Sequence, residues 1–445
     1  MMQRKRSLNR RLMWLLVGCV LAGVTVAAQT SRLSITKPRA LREVNDFAKP
    51  AAGKSTAIVG VNLIDGRGGA PVTDAVVIVR GEKIMAAGTR GAVVVPQDAD
   101  IVEANGLTLL PGFLDSHFHL DGDEPLPTTF LRQGVTSVRD PGAWIEAYDN
   151  VRRSEQPLPR LFLAGPHLDN APPAYPVDSI IVRDPEETRL AVKRAIDQGA
   201  SVIKVYFRLP LGLIRVAAET AHARGVPVTA HLEIVDAADA IRAGVDGIEH
   251  ITSFATTLLP PRDAEKYRQA ILADNNARRE GRYKIWSDID LNSERVRSLL
   301  DLLVKRGTFL SPTLAVFEKQ MGDKGATEMH VRAFQNMLKF VGLAKRAGAR
   351  IVTGSHSSVP HAAHGWAYQR ELELLIASGL TPMEALVAST TENARFFRVA
   401  DRLGSIEAGK LADLILLDGD PLKDISALRR VNRVMRNGAW IPAVE

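Results

Sequence analysis

Two textures of hydrophobic position alternate along this chain. From residue 57 to residue 110, short runs rich in β-branched residues (AIVGVNLI, AVVIVR, KIMAAG, DIVEANGLTLL) are separated by turn signals such as DGRGG and Arg80-Gly81-Glu82-Lys83. The same texture returns near the end, in LADLILLDGDPL and VNRVMRNGAWI. The pattern predicts one small β-sandwich domain assembled from residues 54–110 and 402–445, with residues 111–401 inserted between its halves.

The inserted part reads differently. Eight short β-prone runs, FLDSHFH, VTSVRDP, RLFLAGP, ASVIKVYF, PVTAHL, DGIEHIT, TFLSPTL and RIVTGSHS, alternate with helical stretches. EETRLAVKRAIDQG and LIRVAAETAHARG each close on the glycine expected after a helix C-terminus. Eight such strands predict an α/β fold of the (β/α)8 TIM-barrel type. Residues 254–307 are too many for a simple connection and predict a helical excursion over the barrel mouth.

A barrel places chemistry at the C-terminal ends of its strands. There stand His117 and His119 on the first run, Asp140 on the second, Lys204 and Tyr206 on the fourth, His231 on the fifth, His250 on the sixth and His356 on the eighth. Residues two apart on a strand point the same way, so His117 and His119 can share one metal ion. A lone His-x-His is weak, since ten histidines in a chain this long give about 0.2 such pairs by chance. Four strand ends bearing histidine are a stronger sign, because neutral imidazole is the usual ligand of zinc-like ions.

Composition narrows the class. Of 445 residues, 46% are apolar and 24% charged, within the globular range. The net charge of +7 falls to +2 once Arg4, Lys5, Arg6, Arg10 and Arg11 are set aside, which argues against a nucleic-acid partner. Those cations precede an apolar run ending in Val26-Ala27-Ala28, so residues 1–28 read as a secretory signal peptide cut before Gln29, with residues 29–53 as a linker. The alternatives are a membrane anchor, a lipoprotein box at Leu16-Val17-Gly18-Cys19, and a twin-arginine signal at Arg10-Arg11. Signal cleavage would leave no stable membrane span and place the protein in the periplasm or outside the cell. Cys19 is the only cysteine, so the mature chain would have no thiolate or disulfide.

PGFLDSHFHL, IKVYF, VTAHLE and GVDGIEH resemble the first-, fourth-, fifth- and sixth-strand motifs of the amidohydrolase superfamily. LTPMEALVASTTENARFF followed by DRLGSIEAGKLADLILLDGDPL is similar to its closing helix and sheet return. The nearest subgroup is that of secreted imidazolonepropionase-like and prolidase-like hydrolases. The resemblance implies that His117 and His119 bind a buried metal, that His231 and His250 bind a more exposed one, and that Lys204, as a carbamate, bridges them. It implies Zn2+ or another divalent transition metal, one or two per subunit. A bridging water would be the nucleophile, and Tyr206 either donates to the oxyanion or fills the barrel layer.

The sequence departs from the family at the eighth strand. Gly354-Ser355-His356 stands where members carry Gly-Thr-Asp, whose Asp binds metal and moves the proton. Aligned on the glycine, His356 takes that place; a one-residue shift would put Ser355 there. His356 is then a metal ligand or a general base. Asp115 is expected to support the barrel, and Asp140 to order the site or the fold. His167 is read as a substrate contact or a structural residue, His361 and His364 as solvated loop residues or additions to the site, His222 and His330 as surface positions. The expected function is hydrolysis of a small amide such as a dipeptide or N-acyl amino acid. The alternatives are a cyclic-amide or lactone hydrolase and a metal-binding pseudoenzyme. Homo-oligomerisation is left open.

Overall fold

A computed structural model describes residues 53–442. The signal peptide, Cys19 and nearly all of the linker lie outside the described residues. The strands are β1 (Ser55–Leu63), β2 (Val72–Arg80), β3 (Lys83–Thr89), β4 (Asp100–Glu103), β5 (Leu107–Pro111), β6 (Phe113–Asp115), β7 (Val135–Asp140), β8 (Arg160–Leu163), β9 (His167–Asp169), β10 (Ser179–Ile181), β11 (Ile203–Val205), β12 (Val228–Ala230), β13 (Gly247–Glu249), β14 (Phe309–Ser311), β15 (Arg350–Ile351), β16 (Leu414–Asp418), β17 (Val431–Arg436) and β18 (Ala439–Trp440).

A mixed sheet joins both ends of the described chain in the order β18-β17-β16-β5-β1-β2-β3, with β4 also on β1. Its central seam pairs β16 antiparallel with β5, Leu414 facing Pro111 and Asp418 facing Leu107. Alternation in β1 and β2 feeds two apolar clusters. Ile58, Val61, Val77 and Val79 meet Leu414 and Leu416 in one, while Ala57, Val59, Val76 and Ile78 form the other. Both faces are covered, which is why these strands tolerate near-continuous apolar runs.

The remaining strands are parallel. One sheet runs β10-β9-β11-β12-β13-β14-β15 and another β6-β7-β8. Each of the eight runs read as strands contains one of these, while β9 and β10 form an additional pair in the connection after β8. Backbone bonds link the two sheets at both margins: Ser116 N donates to Thr353 O at 3.0 Å, His356 N to His117 O at 2.7 Å, and Ser201 N to Leu163 O at 2.8 Å.

Helices cover the parallel strands. The helix Pro185–Gln198 begins at Asp184, whose carboxylate accepts from the Glu186 and Glu187 amides, and ends on Gly199 at φ 115°. It buries Ala191, Val192, Ala195 and Ile196. The next helix, Leu211–His222, stops three residues before Gly225, which closes a turn and not the helix itself. Residues 254–307 hold the helices Ala255–Leu258, Pro261–Ala273, Ala277–Asp288 and Glu294–Arg306, the last stopped by Gly307 at φ 63°. None of the helices among the described residues is long and apolar enough to cross a membrane.

Candidate metal centre

The chain leaving β6 carries Asp115, His117 and His119 into a shared cluster. Asp115 is fully buried and accepts from the His117 amide at 3.0 Å, the Ser355 amide at 2.9 Å and the Ser355 hydroxyl. It ties the first strand to the eighth; burial pushes its carboxyl up to about 6. Ser355 is thereby turned toward Asp115, which decides the eighth-strand register: His356, and not Ser355, faces the histidines. The close approach depends on Gly354, where an added Cβ would stand 2.7 Å from His117 Cβ and 2.7 Å from Ser311 Oγ.

His117 Nδ1 donates to Glu249 Oε2 at 2.7 Å, leaving Nε2 with a free lone pair. Glu249 is held in turn by Arg139 Nη2 at 3.0 Å and Thr229 Oγ1 at 2.7 Å. Burial holds the His117 imidazolium well below its ordinary range, so the ring is neutral. His119 Nε2 lies 3.0 Å from His117 Nε2, close to the roughly 3.3 Å that two imidazoles on a tetrahedral zinc would show. Behind it, His119 Nδ1 is 3.7 Å from Asp140 Oδ1. Burial opposes the His119 imidazolium, but Asp140 outweighs it and holds the group above its ordinary value. Asp140 also accepts from the Leu120, Gly142 and Ala143 amides and the Tyr148 hydroxyl, so it orders the loop as well as the ring.

His356 completes the cluster. Its ring centroid is 5.3 Å from that of His117 and 4.8 Å from that of His119. His117, His119 and His356 each offer a ring nitrogen within 4.8 Å of the others. Burial pushes the His356 imidazolium down to about 3, so it too is neutral. His250, His356, Ser357 and Thr313 all have positive φ, a strained cluster of non-glycine residues at one place.

His231 and His250 stand outside that three-residue ligand set but against it. Their ring centroids are 4.4 Å apart, and His250 is 4.5 Å from His117. Nδ1 of His250 is fixed by the Thr313 hydroxyl at 2.7 Å. Nε2 of His231 lies 3.4 Å from Glu233, whose other oxygen accepts from Tyr267, while Nδ1 is buried without a partner. Lys204 Nζ is likewise buried and partnerless, and burial brings its ammonium down to about 8. The orphaned His231 nitrogen beside converging neutral imidazoles fits a metal ion, whereas the Lys204 nitrogen fits one only in a form that is no longer an ammonium.

Tyr206 packs between His167, with centroids 4.2 Å apart, and His231, at 4.7 Å. His167 sits on β9 and not at the end of β8, and its Nε2 bonds Ser179 Oγ at 2.8 Å. His361 and His364 are held by Asp323 and Asp123, and His222 by Asp246 at the surface. His330 corrects the expectation of a surface residue. It is buried, accepts from the Thr327 amide at the start of helix Glu328–Ala347, and lines the cavity beside Glu280.

The cavity over the histidines has a volume of about 980 Å³. It is walled in part by Tyr175, Arg278 and Arg282, side chains that the sequence did not single out within the loops 167–175 and 254–307. Glu249 and Arg139, which pair in the interior, were also missed.

Comparison with known proteins adds an independent line. The Amidohydrolase family matches residues 108–441. An N-acyl-D-aspartate deacylase of Alcaligenes xylosoxydans xylosoxydans is 39% identical over 117 residues, which are 25% of this chain and 22% of that protein. The match thus spans about a fifth of the relative's length. A Xaa-Pro dipeptidase crystallised with methionine in its active site superposes with a TM-score of 0.68 at 23% identity, covering 88% of this chain and 100% of the other. Ochratoxinase of A. niger gives 0.67 at 20% identity, covering 89% and 98%. At these identities the two structures speak for the fold alone.

Proposed function

Because the chain belongs to the amidohydrolase family, we propose that it is a metal-dependent hydrolase of an amide C–N bond in a small substrate, a dipeptide or an N-acyl amino acid. The observation that carries this reading is the convergence of the His117, His119 and His356 ring nitrogens beside the partnerless Lys204 amine. One or two zinc-like ions held by His117, His119, His231, His250 and His356 would supply an acidified water and polarise the scissile carbonyl.

The chain's own groups do the rest. His117 comes to the site neutral and already aimed, because Glu249 holds its far nitrogen. Lys204, with its ammonium lowered to about 8, offers at neutral pH a fraction of free amine, the form that would add CO2, with loss of a proton, to give a carbamate. Tyr206, whose phenol burial keeps protonated, is placed to donate to a developing oxyanion. His356 serves as ligand or as proton acceptor, since one nitrogen cannot do both. In this reading the two parallel sheets form one (β/α)8 barrel, joined through the Ser116–Thr353 and Ser201–Leu163 bonds, with a β-sandwich domain of residues 54–110 and 402–445 beside it. Residues 1–28 act as the export signal of a secreted or periplasmic enzyme.

A second reading, a protein that holds metal and ligand without turnover, is favoured by one observation: among the described residues no carboxylate joins the three-histidine set. The test is elemental analysis of protein from metal-replete expression, followed by a panel of dipeptides and N-acyl amino acids. We expect one to two equivalents of metal, and hydrolysis abolished by chelation and restored by metal. Lys204→Ala should lower the metal content unless a short carboxylic acid is supplied. Metal without turnover across the panel would favour the second reading, and protein without metal would overturn both.

A further inference from the structure

The helix Ala277–Asp288 forms one wall of the cavity and brings Arg278 and Arg282 to it, four residues apart and so on one face. Arg278 is 3% exposed. Its Nη1 donates to Asn275 O at 2.6 Å and its Nη2 to the Tyr175 hydroxyl at 3.1 Å, while Nε is buried without a partner. Arg282, half-buried, donates from Nε to Arg278 O at 3.1 Å and lies over the Phe317 ring at 5.3 Å.

Among the described residues neither guanidinium forms an ion pair with a carboxylate. The acids nearby bond other groups, although the Arg282 charge still favours the Glu233 carboxylate. Glu280, on the same helix, faces His330 Nε2 at 3.2 Å, and Glu233 takes the Tyr267 hydroxyl at 2.7 Å. Arg278, withdrawn from water with no carboxylate bonded to it, is costly, and half-buried Arg282 has only the field of Glu233 to set against its charge; a ligand carboxylate received between the two would lower that cost. Arginine is suited to the task, because its planar fork matches a carboxylate edge.

Their placement sets the reach of such a ligand. Phe317, under Arg282, is 5.8 Å from His250 between ring centroids. Tyr175, bonded to Arg278, is 5.9 Å from Tyr206, which touches His231. Both arginines therefore stand one aromatic ring back from the histidine site. We propose that Arg278 and Arg282 form an anion subsite that receives a substrate carboxylate remote from the scissile amide, so that the preferred substrates are N-acylated or peptidyl acidic amino acids. This rests on the amide-hydrolase reading of the same cavity.

The discriminating pair is N-acetylglutamate and N-acetylglutamine, both enantiomers of each, offered to the metal-loaded full chain. They share the scissile amide and the α-carboxylate and differ by one remote charge. Affinity is read as KM where the compound is turned over and by calorimetry where it is not. We expect the glutamate compound to be favoured roughly tenfold to hundredfold, the preference to vanish in Arg282→Gln, and Arg282→Lys to keep part of it. Arg278→Gln should act alike, but Arg282 decides the matter because Arg278 is buried enough to threaten folding. Equal affinity of wild type for the two compounds, no interaction with N-acetylglutamate at millimolar concentration, or a preference that survives Arg282→Gln would overturn the subsite. Hydrolysis of both compounds without preference would overturn the subsite and leave the hydrolase reading standing. Selective binding with no turnover of any amide would do the reverse.

Discussion

The two sides of the histidine site are built on opposite terms. Beside β6 and β7, each carboxylate is gripped by several donors: Glu249 by His117, Arg139 and Thr229, and Asp140 by three amides and Tyr148. Beside β11 and β12, Lys204 Nζ and His231 Nδ1 are buried with nothing to bond. The first side is preorganised by the protein alone, at the cost of a buried Arg139–Glu249 pair. The second side is left incomplete, and what it lacks is what a ligand would bring. A metal site needs both, because rigid ligands fix geometry while unsatisfied ones supply the driving force for binding.

Removing a nitrogen from the preorganised side should have the largest effect. His119→Ala is expected to lose at least one metal equivalent and to reduce hydrolysis to the metal-free background, checked by elemental analysis and kcat/KM. Full metal content in this variant would break the distinction between the two sides.

Restoring a carboxylate at the eighth strand should act in the other direction. His356→Asp is expected to raise kcat by about 10² to 10⁴ if a proton-transferring group is what the site lacks. The backbone permits the change, since His356 sits at φ 59° and Asp tolerates the left-handed region as well as His does. A fall in activity with a displaced pH profile would show that the site works through His356 as it stands.

Stability offers a contrast of smaller size. In metal-free protein, Glu249→Gln strands Arg139 without its counter-charge and should cost about 3 kcal/mol. Lys204→Met removes an orphaned buried ammonium and should stabilise the same protein by about 1 kcal/mol. Urea unfolding of the two variants reads the difference in sign, and shifts of the same sign would erase the comparison.

The remaining effect is spread along the pH axis. Burial lowers His167 to about 3, below the roughly 6.5 of the unfolded chain. The unfolded state therefore takes up a proton first, and this residue's contribution is intact above pH 6.5 and lost as pH falls toward 3. His167→Gln should flatten the acid limb of stability by up to about 1.4 kcal/mol per pH unit between those limits, read from unfolding midpoints. A limb as steep as that of wild type would place His167 in contact with water.

How far the chain could be read before folding varies by residue. The eight parallel strands were legible because short β-branched runs stopped by glycine and proline leave few other choices. His117, His119, His231, His250 and His356 were legible because strand ends in such a pattern converge. The glycine rule was off by a turn at helix Leu211–His222, where Gly225 closes the loop beyond the helix. His330 was misread because a histidine in a polar helical stretch has no local mark of burial.

Local alternation of apolar and polar residues, which depends only on the 2.0 and 3.6 periods of strand and helix, was enough to determine the α/β class and the set of strand-end histidines. Tertiary packing alone decided that His356 and not Ser355 faces the cluster, since that turns on a contact between Asp115 and a residue 240 positions away. It alone buried Arg278, which belongs to the polar stretch ARREGRYK and looks solvated until its helix is laid against the cavity. Whether a charge meets water or a counter-ion is a property of what the rest of the chain brings alongside it, and no neighbour in the sequence carries that information.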